Sequence, residues 1–181
     1  MTVDELHEWF KGKIVGGFSH LDSNILKEEV EKLKPGEIYL EVGVDEGKSL
    51  TVARYYADPQ AWTIGVDFID SPNRGPYMNI PLGWNPQGQS LVKHGSKLIY
   101  VHADANEFAK VFDREIALLF IDGDHSYEGV KMDTLSWEPK VKKGGTILFH
   151  DYDHQDSKRW LDEHYGGNKE ICHGKIVRIK K

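Results

Sequence analysis

The chain has 181 residues, and at ~150 residues per domain this length predicts a single domain over residues 1–181. Hydrophobic residues make up 39% and charged residues 29%, which are ordinary values for a globular protein and exclude disorder of the whole chain. The 23 Lys and Arg residues against 29 Asp and Glu residues give a net charge of −6, which argues against a nucleic-acid partner held through its phosphates.

Cysteine content and hydropathy predict a soluble, cytoplasmic protein with no membrane partner. Cys172 is the single cysteine, which excludes an internal disulfide and fits a reducing compartment. The longest apolar runs, such as residues 116–121, fall far short of the ~20 residues that cross a bilayer. Residues 1–5 lack the basic start and the apolar stretch of a signal peptide.

Helical and strand-like apolar patterns take turns along the chain. Two helices are predicted within residues 1–35, and Pro35-Gly36 ends the second. Five strands alternating with helices predict an α/β fold with a parallel sheet covered on both faces, and the end of the chain predicts a closing hairpin. The predicted elements are helices at 4–10, 24–33, 48–57, 106–112, 127–137 and 157–164, strands at 38–44, 62–66, 98–101, 116–121 and 146–149, and a hairpin at 170–179.

Residues 71–89 interrupt this alternation with four prolines and three glycines. A loop of this length in a compact domain is usually a lid, a binding loop or a disordered segment. Its aromatic residues, Tyr77 and Trp84, favour a loop that packs or touches substrate. We therefore expect this segment to shape the substrate side of a site.

A glycine-rich turn follows the first predicted strand, with Gly43 and Gly47 flanking Asp45 and Glu46. A plain strand-to-helix turn is one interpretation; a ligand-binding turn is the other, because glycine lets the backbone approach a ligand closely. The dinucleotide fingerprint does not fit, since Asp45 occupies the place of its middle glycine and would repel a pyrophosphate together with Glu46. The phosphate-binding loop does not fit either, since no G-K-[ST] closes a six-residue cradle. S-adenosylmethionine, which carries an ammonium and a sulfonium and no phosphate, suits such a turn.

Two further aspartates follow the next two strands. Asp67 ends the second strand, where a carboxylate can accept hydrogen bonds from both ribose hydroxyls of a nucleoside, or can instead cap the next loop. Asp104, after the third strand, can accept a hydrogen bond from the adenine amino group or cap the helix at Asn106.

Four sequence blocks resemble the class I S-adenosylmethionine-dependent methyltransferases, within residues 36–152. The similarity is to the small Rossmann-like type with an F-I-D-G-D-H block, which is related to metal-dependent O-methyltransferases acting on catechols, caffeoyl thioesters and macrolide or aminocoumarin sugars. The blocks are Glu41-x-Gly43-x-x-x-Gly47-x-Ser49, Gly65-Val66-Asp67, residues 120–127 (F-I-D-G-D-H-S-Y) and residues 144–152 (G-G-T-I-L-F-H-D-Y). The resemblance implies the methyltransferase fold, a doubly wound parallel sheet of order 3-2-1-4-5 with the antiparallel hairpin beside the fifth strand. It also implies S-adenosylmethionine as cofactor and a cofactor-binding set of Glu41, Gly43, Gly47, Ser49, Asp67, Asp104 and Ala105.

Three polar residues at the ends of the fourth and fifth strands predict a metal site. Asp122 ends the fourth strand, while His150 and Asp151 end the fifth, and the ends of paired strands lie ~5 Å apart. Two carboxylates and an imidazole leave open positions for a substrate oxygen. The resembled enzymes commonly have Asp-Asn, Asp-Asp or Glu-Asp where this chain has His150-Asp151. The histidine favours manganese or another first-row ion over magnesium; alternatively no metal binds, and His150 is a base or a buried hydrogen-bonding residue.

His125 lies three residues after Asp122, at an offset where catechol-type relatives carry a lysine base and some antibiotic-sugar enzymes a histidine. An imidazole is suited to accepting a hydroxyl proton near neutral pH. His125 and Asp122 are therefore the predicted catalytic residues. The competing interpretation is that His125 caps the following helix or hydrogen-bonds Asp124.

The predicted activity is methyl transfer from S-adenosylmethionine to an oxygen of a small-molecule acceptor, assisted by a divalent metal. The alternatives are a metal-dependent hydrolase or hydroxylase-like enzyme, or a non-catalytic nucleotide-binding interaction module. In the N-terminal segment, Phe18 and His20 are candidates for closing over the cofactor. Trp9 and Phe10 are either a homodimer contact or simply packed.

Overall fold

A computed structural model describes residues 1–11, 14, 16–68, 97–173 and 175–181. The predicted substrate-side loop at 71–89 lies outside the described residues. The helices are α1 (Val3–Phe10), α2 (His20–Val30), α3 (Lys48–Tyr56), α4 (Ala105–Val111), α5 (Tyr127–Trp137) and α6 (Gln155–Tyr165), with a 3-10 turn at Glu138–Lys140. The strands are β1 (Ile38–Val42), β2 (Trp62–Asp67), β3 (Lys97–His102), β4 (Ile116–Ile121), β5 (Val141–Phe149), β6 (Glu170–His173) and β7 (Ile176–Lys180).

The described strands form one sheet in the order β3-β2-β1-β4-β5-β7-β6. Strands β1 to β5 are mutually parallel, whereas β7 runs antiparallel to β5 and β6 antiparallel to β7. The predicted α/β class, the 3-2-1-4-5 order and the hairpin beside the fifth strand are confirmed. Val42 pairs with both Val66 and Ile121, so the carboxyl ends of β2, β1 and β4 meet at one edge of the sheet.

The two faces of the sheet are covered by different helices. Phe120 and Leu148 pack with α1, α2 and α3, whereas Ile121 and Phe149 pack with α4, α5 and α6. This alternation follows from the two-residue period of a strand. Trp137 is fully buried on the second face, as expected for a core residue.

Two elements begin at least four residues earlier than the apolar pattern predicts. Helix α2 begins at residue 20 rather than 24, because Ser19 and Asp22 form a reciprocal capping box there. Strand β5 begins at Val141 rather than 146, and its early part includes Gly144 at a φ of +78° and a register shift against β4. That part is largely solvent-accessible, so it carries no apolar pattern.

Helix α1 packs within the chain, and Phe10 is almost completely buried in the same core as Leu6. This shows the packing of Phe10; a homodimer through α1 stays a prediction. Across the part of the chain that the structure describes, no helix is both long and apolar enough to cross a membrane.

Candidate active site

A cavity of about 870 Å³ opens where the carboxyl ends of the parallel strands meet. This is the position at which doubly wound sheets bind ligands, and the volume lies within the ~300–1,000 Å³ of small-molecule sites. Most of the residues proposed from the sequence line it. These are Gly43, Ser49, Asp67, Asp104, Ala105, Asp122, His125, His150 and Asp151.

The glycine turn depends on a close approach between two loops. Gly43 has a φ of +83°, and a Cβ there would lie 2.2 Å from the carbonyl oxygen of Asp122. Any side chain at Gly43 would therefore separate the loops that follow β1 and β4. Asp45, two residues on, also has a positive φ of 48°, which is uncommon outside glycine.

Asp67 ties this turn to the end of β2. Its Oδ2 accepts hydrogen bonds from the backbone N–H groups of Val44 and Asp45, both at 2.7 Å. The structure thus shows the loop-capping role that the sequence left open, in a side chain that also lines the cavity. Burial raises the pKa of Asp67, against the backbone hydrogen bonds.

Glu41 and Gly47 lie outside the lining of the cavity, although the resemblance implied that both bind cofactor. Glu41 is completely buried and accepts hydrogen bonds from the Ser49 hydroxyl at 2.6 Å and from the Tyr39 hydroxyl. Burial raises the pKa of Glu41 to about 8, although these two hydrogen bonds lower it. In this structure Glu41 therefore stabilises the glycine turn indirectly, through its hydrogen bond with Ser49.

Asp104 is the N-cap of α4, and its Oδ1 accepts a hydrogen bond from the backbone N–H of Glu107 at 2.8 Å. Of the two roles considered from the sequence, the structure shows the helix cap. Ala105, the first residue of α4, lines the cavity beside it.

At the other end of the cavity, His150 lies among three carboxylates. Its Nδ1 is 3.1 Å from Asp122 Oδ1 and 3.2 Å from Asp151 Oδ2, and its Nε2 is 3.5 Å from Asp22 Oδ2. Burial lowers the pKa of His150, but the three carboxylates outweigh burial and raise this pKa to about 12. The buried ring therefore carries a positive charge that offsets part of the surrounding negative charge.

The geometry assembles a candidate metal-binding group that differs from the one predicted. Ligand atoms of Asp122, His125 and Asp151 lie within 4.8 Å of one another. His150 packs behind them, against the rings of Phe18 and Phe120. Two carboxylates and an imidazole suit a first-row divalent ion, so these donors fit such a cation.

Backbone conformation helps to bring this group together. Asp151 has a φ of +52°, a strained value for a residue with a side chain. Its Oδ2 lies 3.3 Å from the Nε2 of His125, which is on the loop after β4. The hydrogen bond from His150 lowers the pKa of Asp151, whereas burial raises the pKa of Asp122.

His125 itself is free of the local roles that competed with catalysis. Ser126, not His125, is the N-cap of α5, and Asp124 accepts hydrogen bonds from the Ser126 backbone and hydroxyl at 2.9 and 2.8 Å. The His125 side chain is 44% exposed at the cavity, with Asp151 as its charged neighbour. It is thus accessible to a ligand.

Sequence reasoning missed several residues of the site. Asp22 reaches His150 from α2, and its only sequence signal is the Ser19-x-x-Asp22 capping box. Asp133 and Asn106 line the cavity from α5 and α4 without any motif. Of the two N-terminal candidates, Phe18 lines the cavity, whereas His20 pairs with Asp4 at 2.9 Å outside it.

Comparisons with known proteins identify the family. A family model described as a methyltransferase domain matches residues 40–152, more than half of the chain. An uncharacterized protein of Acanthamoeba polyphaga mimivirus is 28% identical over 158 residues, covering 80% of this chain. The chain spans 65% of that relative's length.

Two solved structures share the fold over 99% of this chain. One is a TDP-rhamnose 3′-O-methyltransferase of calicheamicin biosynthesis, with a TM-score of 0.62, 15% identity and 92% of its own length covered. The other is an O-methyltransferase from Bacillus cereus in complex with S-adenosylhomocysteine, with a TM-score of 0.66, 11% identity and 90% covered. Identities this low show the fold alone. The family match shows that the chain belongs to the methyltransferase domain family.

Proposed function

We propose that this protein transfers the methyl group of S-adenosylmethionine to an oxygen of a small molecule, with a divalent cation at the Asp122 end of the cavity. The observation that carries the proposal is the charge of the cavity. Among the described residues, eight carboxyl side chains line it against one lysine and the charged His150. Such a lining attracts a cationic ligand and disfavours phosphorylated nucleotides.

The reaction is a single displacement. The acceptor oxygen attacks the methyl carbon while the bond from that carbon to sulfur breaks and its electron pair stays on sulfur. The hydroxyl proton passes to the His125 imidazole or to water, and S-adenosylhomocysteine leaves with an uncharged sulfur. The cavity supplies proximity by holding both reactants at one sheet edge. Its acidic lining favours the sulfonium cation over the neutral product.

Asp122, His125 and Asp151 are the residues that would hold the cation. When bound, a divalent ion there lowers the pKa of an acceptor hydroxyl and orients its oxygen. An imidazole nitrogen that binds a cation cannot also accept a proton, so the ligand role and the predicted base role of His125 exclude each other at that atom. In either case His150 forms ion pairs with Asp122 and Asp151 and helps to position both carboxylates.

Calorimetry tests the cofactor. We expect S-adenosylhomocysteine to bind the wild-type chain and ATP and NADH not to bind. Asp67→Asn replaces one carboxylate oxygen by an NH2 group that cannot accept a hydrogen bond from a ribose hydroxyl, and should weaken binding roughly tenfold. The exposed Asp113 provides the matched control, since Asp113→Asn should leave binding unchanged. Uptake of ATP or NADH without S-adenosylhomocysteine would contradict the proposal.

Manganese titration tests the cation. We expect Mn²⁺ to bind the wild-type chain and Asp153→Asn, a neighbouring carboxylate outside the group, but not Asp151→Asn. Turnover should stop in EDTA and return with Mn²⁺. Full turnover in EDTA that is lost in His125→Ala would instead assign His125 the role of base without a metal.

A further inference from the structure

Helix α2 reaches the metal-binding group through one buried side chain, Asp22. The Oδ2 atom of Asp22 lies 3.5 Å from the Nε2 atom of His150. The other nitrogen of that ring, Nδ1, contacts Asp122 and Asp151. Asp22 is completely buried and His150 is 7% exposed. The ring of His150 is therefore held between carboxylates at both of its nitrogen atoms.

The two capping boxes of the N-terminal helices show that capping does not require this burial. Helix α1 begins with the same reciprocal arrangement, formed by Thr2 and Glu5, and Glu5 is exposed. In α2 the residue corresponding to Glu5 is Asp22, which is 0% exposed and whose Oδ1 has no hydrogen-bond partner among the described residues. A buried acceptor without a donor costs stability. What the buried carboxylate of α2 has in addition is the contact with His150.

This contact fixes the rotation of the imidazole ring. The χ2 torsion of a histidine has a broad, roughly two-fold preference, and a turn of about 180° exchanges each ring nitrogen with a carbon. Phe18 and Phe120 pack on the His150 ring with centroid distances of 5.5 and 6.2 Å, but apolar contacts do not distinguish nitrogen from carbon. The carboxylate of Asp22, which faces Nε2, does distinguish them. Because the ring is rigid, the position of Nε2 also sets the position of Nδ1.

The Nδ1 side of the ring is where His150 meets the proposed cation ligands. Asp151 Oδ2 lies 3.2 Å from Nδ1 of His150 and 3.3 Å from Nε2 of His125, so one carboxylate oxygen contacts both imidazoles. Asp122 Oδ1 lies 3.1 Å from the same Nδ1. A ring that turned or shifted would therefore displace both carboxylates relative to His125. Residues that orient metal ligands typically change metal affinity by about 10- to 100-fold when they are replaced.

We propose that Asp22 is a positioning residue, which orients His150 and through it the Asp122–His125–Asp151 group; this rests on the proposed function. Asp22 touches no ligand itself, because it has no exposed surface and lies outside the lining of the cavity. The sequence predicted His150 as a metal ligand. In this arrangement its ring orients the ligands instead.

A double-mutant cycle with Mn²⁺ titration tests the route of this effect. Asp22→Asn should weaken Mn²⁺ binding about tenfold relative to the wild-type chain. In a His150→Asn background, which lacks the Nε2 atom, the same substitution should have no further effect, because residues that act through one another are not additive. An undiminished effect of Asp22→Asn in that background would assign it to the charge of Asp22 alone and would overturn the inference.

Leu26→Ala is the control for a merely structural role. Leu26 is a completely buried apolar residue of the same helix, so its truncation reduces the packing of α2 and removes no charge. The Mn²⁺ affinity of Leu26→Ala should equal that of the wild-type chain. Equal weakening in Leu26→Ala and Asp22→Asn would show that Asp22 acts only through the stability of α2, and would overturn the inference.

The NMR signals of the His150 ring nitrogens give a readout that needs no cation. They should shift in Asp22→Asn and stay unchanged in Leu26→Ala; the reverse would overturn the inference. Ser19→Ala removes the hydroxyl that donates to Asp22 Oδ2 at 2.6 Å, and it should give a smaller shift if Asp22→Asn does not fold. Failure of the wild-type chain to bind Mn²⁺ would refute the cation of the proposed function, and the ring signals would still confirm or overturn the role of Asp22.

Discussion

Two buried aspartates, one in contact with His150 and one with Asn106, have pKa values that are shifted in opposite directions. Asp22 is fully buried and Asp133 is 6% exposed, so burial opposes ionisation at both. At Asp22, hydrogen bonds from His150 and Ser19 outweigh burial and lower the pKa to about 2. At Asp133, burial outweighs the hydrogen bond from Asn106 and raises the pKa to about 6.

The difference lies in what each carboxylate faces. Asp22 accepts hydrogen bonds from the backbone and hydroxyl of Ser19 at 2.8 and 2.6 Å and lies 3.5 Å from the charged ring of His150. Asp133 faces one amide and the like charges of Asp124 and Asp104. Asp22 thus faces donors and a positive charge, whereas Asp133 faces one neutral donor and two like charges.

Among the predicted substitutions, removal of the His150 imidazole should have the largest effect on the free energy of unfolding. His150→Ala leaves Asp22 and Asp122 buried without the positive charge between them, and we expect a loss of ~3–5 kcal/mol in the free energy of unfolding. Urea denaturation measures this loss. His173→Ala, at an exposed histidine of β6, should change stability little. Equal effects of the two substitutions would show that the His150 cluster contributes no specific stability.

Neutralising each aspartate in turn tests how much its charge contributes to stability. Asp22→Asn should cost ~2 kcal/mol of stability, since it weakens charge-assisted hydrogen bonds. Asp133→Asn should change the free energy of unfolding by less than ~0.5 kcal/mol at neutral pH. At that pH, above the folded pKa of about 6, the Asp133 carboxyl group contributes little to stability. Thermal or urea denaturation of both variants provides the measurement. A larger loss in Asp133→Asn than in Asp22→Asn would reverse the comparison.

The pH dependence of stability should differ in sign. Asp133 has a folded pKa of about 6, above its ordinary 3.8, so its contribution is present at low pH and is lost as pH rises through 6. Relative to Asp133→Asn, the wild-type chain should lose on the order of 2 kcal/mol between about pH 4 and about pH 7.

Asp22 has a folded pKa of about 2, so its contribution is present above 3.8 and is lost as pH falls toward 2. Unfolding curves across this pH range for the wild-type chain and both variants test the two signs. A flat difference between the wild-type chain and Asp133→Asn would contradict the assignment at Asp133.

Most elements of the fold could be predicted from the local pattern of apolar residues. Strand β4 is apolar at every position and buried at every position, as a central parallel strand requires. The early part of β5 was missed because a partly exposed Lys-Lys-Gly run has no apolar period, although it pairs with β4 at Val141. Pairing between distant strands, rather than local propensity, decides that boundary.

The site was only partly readable. The aspartates and histidines after β4 and β5 could be placed at one sheet edge because the ends of parallel strands coincide. Which of the two imidazoles is exposed to a ligand could not be predicted. His150 shares the face of Leu148, which the N-terminal helices cover, and it therefore packs on Phe18. His125, on a loop, remains accessible.

The amino-acid sequence by itself determined the α/β class and the acidic turn after β1, because these follow from hydrophobic period and from residues adjacent along the chain. The tertiary structure alone decided the partners of the charged groups. Asp22 meets His150 across 128 positions and Asn106 meets Asp133 across 27. Such contacts depend on how helices cover the sheet, and no local pattern encodes that packing.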